Sequence, residues 1–228
     1  MMETKVNSAT LQSILSNLNF PYHIYVPPIG LAGGFCVAWR DNSDMKPITT
    51  NKHLISLLVF SASGAPWLIS VVYGPCSYSC KRYFWESLST EANRFPGAWL
   101  LNGDYNGICN NNDYSSNREI DRGSRSMRKA LDNLGMISIP SFGFYYTWSN
   151  QRHGRSRVNS YIDRGMANKE WWGLFPNASI KLLPQTTSNH NPYVLHCLGQ
   201  HSFVKRPFHF ETGWVEDHRK FWVVNHAW

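Results

Sequence analysis

Ala98-Trp99-Leu100-Leu101-Asn102-Gly103-Asp104-Tyr105-Asn106-Gly107 is a short apolar run that ends in a polar turn. Residues 98–101 are strand-sized and rich in large apolar side chains. Asp104 and Asn106 then set a carboxylate and a carboxamide two residues apart at the strand end, where both can address one site. Such a pair can hold Mg²⁺ and a phosphate oxygen, because hard cations take oxygen ligands. Read alone, the same residues also make an ordinary Asp/Asn/Gly turn.

Working outward, Phe35–Arg40, Leu54–Phe60, Trp67–Tyr73, Tyr145–Ser149, Ser160–Ala167, Ile180–Leu183 and Pro192–Leu198 read as further short strands. Ser-Ala-Ser-Gly-Ala-Pro between the second and third of these reads as a hairpin turn. Leu11, Ile14, Leu15 and Leu18 fall at helical spacing, and Met127, Ala130, Leu131 and Leu134 repeat the device before Gly135. Lys81–Phe95 is a third helix, ended near Pro96. Strands interleaved with helices predict an α/β or α+β domain, and the hairpin favours a mixed or antiparallel sheet over a purely parallel one.

The 228 residues suffice for one large domain or two small ones, and 43% apolar content with only 16% charged argues against a disordered chain. The apolar runs at 54–60 and 67–73 fall far short of the ~20 residues that span a bilayer. Met1-Met2-Glu3-Thr4-Lys5 lacks the apolar stretch of a signal peptide. Five scattered cysteines form no zinc pattern and read as reduced, intracellular thiols. A formal charge of +7 favours a polyanionic partner. Arg152, Arg155, Arg157 and Arg164 face one acid, Asp163, within 152–164, and a second basic stretch spans 118–129. These are either solvated basic faces or phosphate contacts.

Ser160-Tyr161-Ile162-Asp163-Arg164 sits on a strand pattern, where an acid either orients a histidine or makes a surface salt bridge. His190, in Ser188-Asn189-His190-Asn191-Pro192, lies in a polar turn before a strand, placed to exchange a proton with water. Taken singly, it also reads as a plain loop histidine. Glu3 has no meaning in isolation.

Taken in order, Glu-Thr-Lys (3–5), Tyr-Gly-Pro (73–75), Gly-Asp-x-Asn (103–106), Tyr-Thr-Trp-Ser-Asn (146–150), Ile-Asp-Arg (162–164) and Ser-x-His-x-Pro (188–192) resemble the endonuclease/exonuclease/phosphatase superfamily. More narrowly, they resemble the endonuclease of plant LINE-type (non-LTR) retrotransposon polyproteins. Gly30-Leu31-Ala32-Gly33-Gly34-Phe35 is similar to that subgroup's glycine-rich early strand. Lys205-Arg206-Pro207-Phe208-His209-Phe210-Glu211 is similar to its link to a reverse transcriptase. The resemblance implies residues 1–200 as an α/β four-layer sandwich of two packed mixed β-sheets flanked by helices, with 201–228 as an appendage. It implies Mg²⁺- or Mn²⁺-dependent cleavage of DNA phosphodiesters by a monomer with no small-molecule cofactor, acting away from membranes and in the nucleus if active. Residue by residue, Glu3 would be the metal carboxylate. Asp104 would orient the attacking water, with Asn106 beside it on the phosphate. His190 would be acid/base or phosphate contact, held by Asp163. Tyr73, Thr147, Ser188 and Asn189 would be phosphate neighbours, and Arg152, Arg155 and Arg157 would hold flanking DNA.

Two departures point to impairment. Asn189 stands where the family has Asp, keeping an acceptor oxygen and losing the charge. The family's earlier strand, which carries a metal-site Asn, is expected to be missing, an N-terminal truncation that would leave unpaired edges. A relic that at most binds nucleic acid, and a host phosphatase or exonuclease of the same superfamily, are the alternatives.

Overall fold

The computed structural model describes residues 4–28, 33–41, 43–61, 64–116 and 119–199. Glu3, the head of the glycine-rich segment and the tail from 200 onward lie outside these residues.

Helix α1 (Ser8–Asn17) opens the chain, capped by the Asn7 side chain on the Thr10 N–H at 2.9 Å. Strands β1 (Tyr22–Val26) and β2 (Phe35–Trp39) pair antiparallel. Strand β3 (Met45–Thr50) leads to the hairpin of β4 (Leu54–Ser61) and β5 (Gly64–Tyr73). Helix α2 (Tyr78–Arg94) crosses to β6 (Trp99–Asp104), which runs parallel to β5. Helix α3 (Arg122–Asn133) is capped by Asp121, and β7 (Ile137–Ser138), β8 (Ser141–Gly143), β9 (Trp148–Ser149) and β10 (Asn159–Ser160) follow. Strand β11 (Asp163–Ala167), helix α4 (Lys169–Leu174), β12 (Ser179–Leu182) and β13 (Tyr193–His196) complete the fold.

The main sheet has six strands in the order β3-β4-β5-β6-β11-β7, and it is mixed, as the sequence predicts. Alternation along β5 sorts its side chains. Leu68 and Val72 pack with Trp85 and Leu88 of α2 and Met127 and Leu131 of α3. Ile69 and Val71 point to the other face, against Phe35, Ile24 and Val37 of the β1-β2 pair. On that same face Ile69, Leu100 and Ala167 meet Ile180, Leu182 and Leu195 of the three-stranded sheet β13-β12-β8. Helix α1 covers the β1-β2 pair through Leu11 and Leu15 against Cys36 and Ala38. The result is four layers: helices, six-stranded sheet, a second sheet layer in two pieces, and helix.

Some elements depart from the sequence expectation. Strand β3 carries Pro47, which reads against a strand; it is an edge strand with its register shifted between Pro47 and Thr49. The stretch 160–167 is two strands, broken at Tyr161-Ile162, where the chain leaves β9 for β6. Residues 145–149 contribute only the two-residue β9.

Candidate active site

Register brings the two acids together. Asp163 of β11 sits opposite Asp104 of β6 in the antiparallel ladder, so both side chains leave the same face of the sheet. Asn102, two residues before Asp104, shares that face. Both carboxylates are buried.

Asp104 is clamped by Asn106. A positive φ of 48° at Asn106, a conformation that Asn tolerates, folds its backbone and side chain onto the acid. Its N–H donates to Asp104 Oδ1 at 2.7 Å, and its Nδ2 donates to Oδ2 at 3.2 Å and to the Gly74 carbonyl at 2.8 Å. Lys81 Nζ donates to the Asn106 carbonyl at 2.6 Å. The Tyr-Gly-Pro motif has a steric reason here: a Cβ on Gly74 would lie 2.4 Å from the Tyr105 carbonyl oxygen.

His190 meets Asp163. Its Nδ1 lies 2.9 Å from Oδ2 and 3.1 Å from Oδ1. A carboxylate can only accept there, so Nδ1 carries the hydrogen and Nε2 is the nitrogen that exchanges protons. The turn holding the ring is pinned by the Ser188 hydroxyl on the His190 N–H at 3.0 Å, and by the Ser149 N–H on the Asn189 carbonyl at 2.9 Å. The Asn191 N–H adds a bond to the Thr147 carbonyl at 2.7 Å. Thr147 in turn accepts from the Asp163 N–H at 2.9 Å through its hydroxyl. One residue therefore anchors both the acid and the histidine turn.

One ligand atom from each of Asp104, Asp163 and His190 lies within 4.8 Å of the others. They open on a cavity of about 820 Å³ that is also lined by Lys5, Asn102 and Tyr193. A second cavity of about 630 Å³ lies on the other side of Asn189 and His190, which line both. The Tyr193 hydroxyl donates to Asn102 Oδ1 at 3.0 Å. Burial, reinforced by the nearby Asp163 carboxylate, holds that phenol well above its ordinary value of 10.0, so it stays a neutral donor.

No protein-family model and no curated protein sequence matches the chain. Solved structures do. The endonuclease domain of TRAS1, a telomere-specific non-LTR retrotransposon, superposes with a TM-score of 0.60 at 15% identity, over 85% of this chain and 93% of that one. Beta toxin from Staphylococcus aureus superposes at 0.58 and 11% identity, over 86% and 85%. An endonuclease/exonuclease/phosphatase family protein from Bacteroides thetaiotaomicron does so at 0.52 and 10%, over 82% and 78%. The chain has the endonuclease/exonuclease/phosphatase fold. The likeness at these identities is one of fold.

On this endonuclease/exonuclease/phosphatase fold the candidates read from sequence divide. Asp104, Asn106, Asp163, His190, Ser188 and Asn189 come together around the two cavities. The Asn106 amide is engaged with Asp104 and Gly74, which makes it a clamp on the acid. Thr147 is fully buried, with its hydroxyl on the backbone of Ile162 and Asp163, so it positions Asp163 and does not face a phosphate. The Tyr73 ring packs on Phe35 with centroids 6.2 Å apart, inside the layer between β5 and the β1-β2 pair, and away from both cavities. Arg152, Arg155 and Arg157 are exposed on the loop between β9 and β10. Glu3 lies outside the described residues. Arg164, of the Ile-Asp-Arg motif, is buried and paired with Asp113 at 3.1 Å. That pair ties the loop after β6 to β11.

Sequence reasoning missed Asn102, Tyr193, Lys5 and Lys81. Asn102 was within reach, since strand alternation puts it on the face of Asp104. Lys81 reads in sequence only as the start of a helix, Lys5 only as the end of the Glu-Thr-Lys motif, and nothing local marks Tyr193.

Proposed function

We propose that the chain is a divalent-metal-dependent phosphodiesterase of the DNA endonuclease type, of retroelement descent, with turnover reduced by Asn189. The observation that carries the reading is the meeting of Asp104 with the Asp163–His190 pair in a polar cleft of this fold.

Each residue has a distinct task in this reading. Asp104, aligned by Asn106, orients and polarises the attacking water. His190 presents Nε2 to a phosphate oxygen, as a hydrogen-bond donor or as the acid that serves the leaving group. Asp163 fixes the ring's tautomer and supports its charged form. Asn102, oriented by Tyr193, lines the same cavity.

The resemblance implies Mg²⁺ or Mn²⁺, and the oxygen donors of the larger cavity fit a hard cation: the Asp104 carboxylate and the Asn102 carboxamide oxygen, with Glu3 as a further carboxylate by resemblance. When bound, such an ion neutralises charge on the non-bridging phosphate oxygens. The exposed Arg152, Arg155 and Arg157 would hold DNA phosphates beyond the cleft.

A second reading, a nucleic-acid-binding relic, has one specific support. Asn189 lines both cavities beside His190, so the charge it lacks relative to the family's Asp is lost at the site itself. Incubation with supercoiled plasmid in Mg²⁺ or Mn²⁺, with and without chelator, tests the first reading beside a soluble phosphate monoester. Metal-dependent nicking of DNA supports it. Binding without cleavage supports the relic, and hydrolysis of the monoester alone supports a phosphatase.

A further inference from the structure

The loop between β8 and β9 exposes two adjacent aromatic rings. Phe144 is 54% and Tyr145 58% accessible, two exposed rings at neighbouring positions. Tyr145 is held from one side: its ring meets Tyr146 edge-on at 4.9 Å and Tyr161 at 6.3 Å. Supported rings of this kind give flat surface at little further entropic cost.

These rings border a small cavity of about 160 Å³, outside the two cavities at His190. Arg157, Gln185 and Asn191 line it with Phe144, Tyr145 and Tyr146. Gln185 Nε2 is shut off from solvent and has no hydrogen-bond partner among the described residues. An acceptor atom brought into the cavity would satisfy it. Residues 150–159 carry three arginines and no acid, so the approach is positively charged. Asn191 is next to His190 in sequence, which places this surface beside the chemistry.

We infer that the Phe144–Tyr145 ridge, with Arg157 beside it, is a subsite for one unstacked nucleobase of a nucleic-acid strand. The base stacks on the exposed ring, Arg157 meets a neighbouring phosphate, and the amides of Gln185 and Asn191 border the base edge. Every base has a π-face, so stacking is sequence-tolerant, while the amides can discriminate between base edges. The ligand class rests on the nuclease reading. The subsite deepens that reading by naming strands with an unpaired base near the cleavage point, rather than fully stacked duplex, as the preferred substrate.

The test uses the full chain with chelator present, so that nothing is cut. The probe is an oligonucleotide duplex with a single unpaired 2-aminopurine, read by fluorescence quenching and anisotropy, against the fully paired duplex. Wild type quenches the unpaired base. Tyr145→Ala, made together with Phe144→Ala, abolishes the quenching and weakens binding to the unpaired probe about ten- to a hundredfold, with little change for paired duplex. Tyr145→Phe keeps both. Arg157→Gln weakens both probes and lowers the salt slope by about one. Quenching that survives loss of both rings, binding with no quenching, or no binding at all overturns the subsite. Nicking is read separately on the same preparations. Quenching by a protein that never nicks supports the subsite and sinks the nuclease reading.

Discussion

The Asp163 carboxylate and the His190 imidazole meet at 2.9 Å, across 27 positions of sequence, where a buried threonine, Thr147, holds the backbone of Asp163 through its hydroxyl and that of Asn191, the residue after His190, through its carbonyl. The carboxylate accepts from Nδ1 and leaves Nε2 as the proton-exchanging atom. Asp163→Asn keeps the shape and removes the anionic acceptor. Nicking by this variant falls on the order of 10²-fold, with melting temperature nearly unchanged. Equal rates for the variant and wild type would remove Asp163 from the mechanism.

Asn189 sits on the wall between the two cavities, and its backbone carbonyl already pins the turn to Ser149. The turn therefore tolerates Asn189→Asp, and the change restores a charge beside His190. Nicking rises about tenfold or more in the revertant. A rate unchanged by the substitution would mean that position 189 is not where turnover is lost.

The buried Arg164–Asp113 pair is structural, and half of it cannot stand alone. Asp113→Asn strands a guanidinium that is only 3% accessible. Loss of one partner of a buried pair costs about 3–5 kcal/mol. Chemical denaturation of the variant shows this loss, and a change below about 1 kcal/mol contradicts the assignment.

Gly74 is required by space. A methyl group there would meet the Tyr105 carbonyl oxygen at 2.4 Å, and that neighbour is backbone and cannot swing away. Gly74→Ala destabilises by about 1–3 kcal/mol and also loosens the Asn106 clamp, whose amide rests on the Gly74 carbonyl. An unchanged melting temperature would show that the strand end relaxes freely.

His53 gives the fold a pH dependence that is separate from the site. Burial pushes its imidazole below the ordinary 6.5, and Lys52 pushes the same way, against the pull of the Tyr73 carbonyl 2.8 Å from Nδ1. The folded state therefore binds this proton less well than the unfolded chain. Its contribution is intact above pH 6.5 and is lost as pH falls below that value toward the lower folded one. The urea midpoint of wild type drops on acidification through this window, and His53→Gln drops less. Parallel curves for the two proteins contradict the assignment.

The long periodic elements were legible in the sequence. Helices α1 and α3 carry their apolar stripes at helical spacing, and the β4-β5 hairpin is marked by the Ser-Ala-Ser-Gly-Ala-Pro stretch between two apolar runs. Strand β3 was not, because Pro47 argues against a strand that only an edge can accommodate. Helix α4 has six residues, too few to show a period. In the site, ordered motifs located Asp104, Asp163 and His190, but roles that depend on burial were beyond sequence. Thr147 and Tyr73 sit in the same motifs as the site residues, yet one is a buried anchor and the other a core ring. Tyr193 joins the site only because β13 brings its hydroxyl to Asn102, 91 positions earlier in the chain.

The central claim is that the Asp104–Asp163–His190 cluster cleaves phosphodiesters in DNA. Its most direct test is supercoiled-plasmid nicking in Mn²⁺ by the purified chain, Asn189→Asp and His190→Ala, each shown to be folded. The account predicts slow nicking by the starting chain, faster nicking by Asn189→Asp and none by His190→Ala. Nicking undiminished in His190→Ala, or none from folded Asn189→Asp, would contradict it.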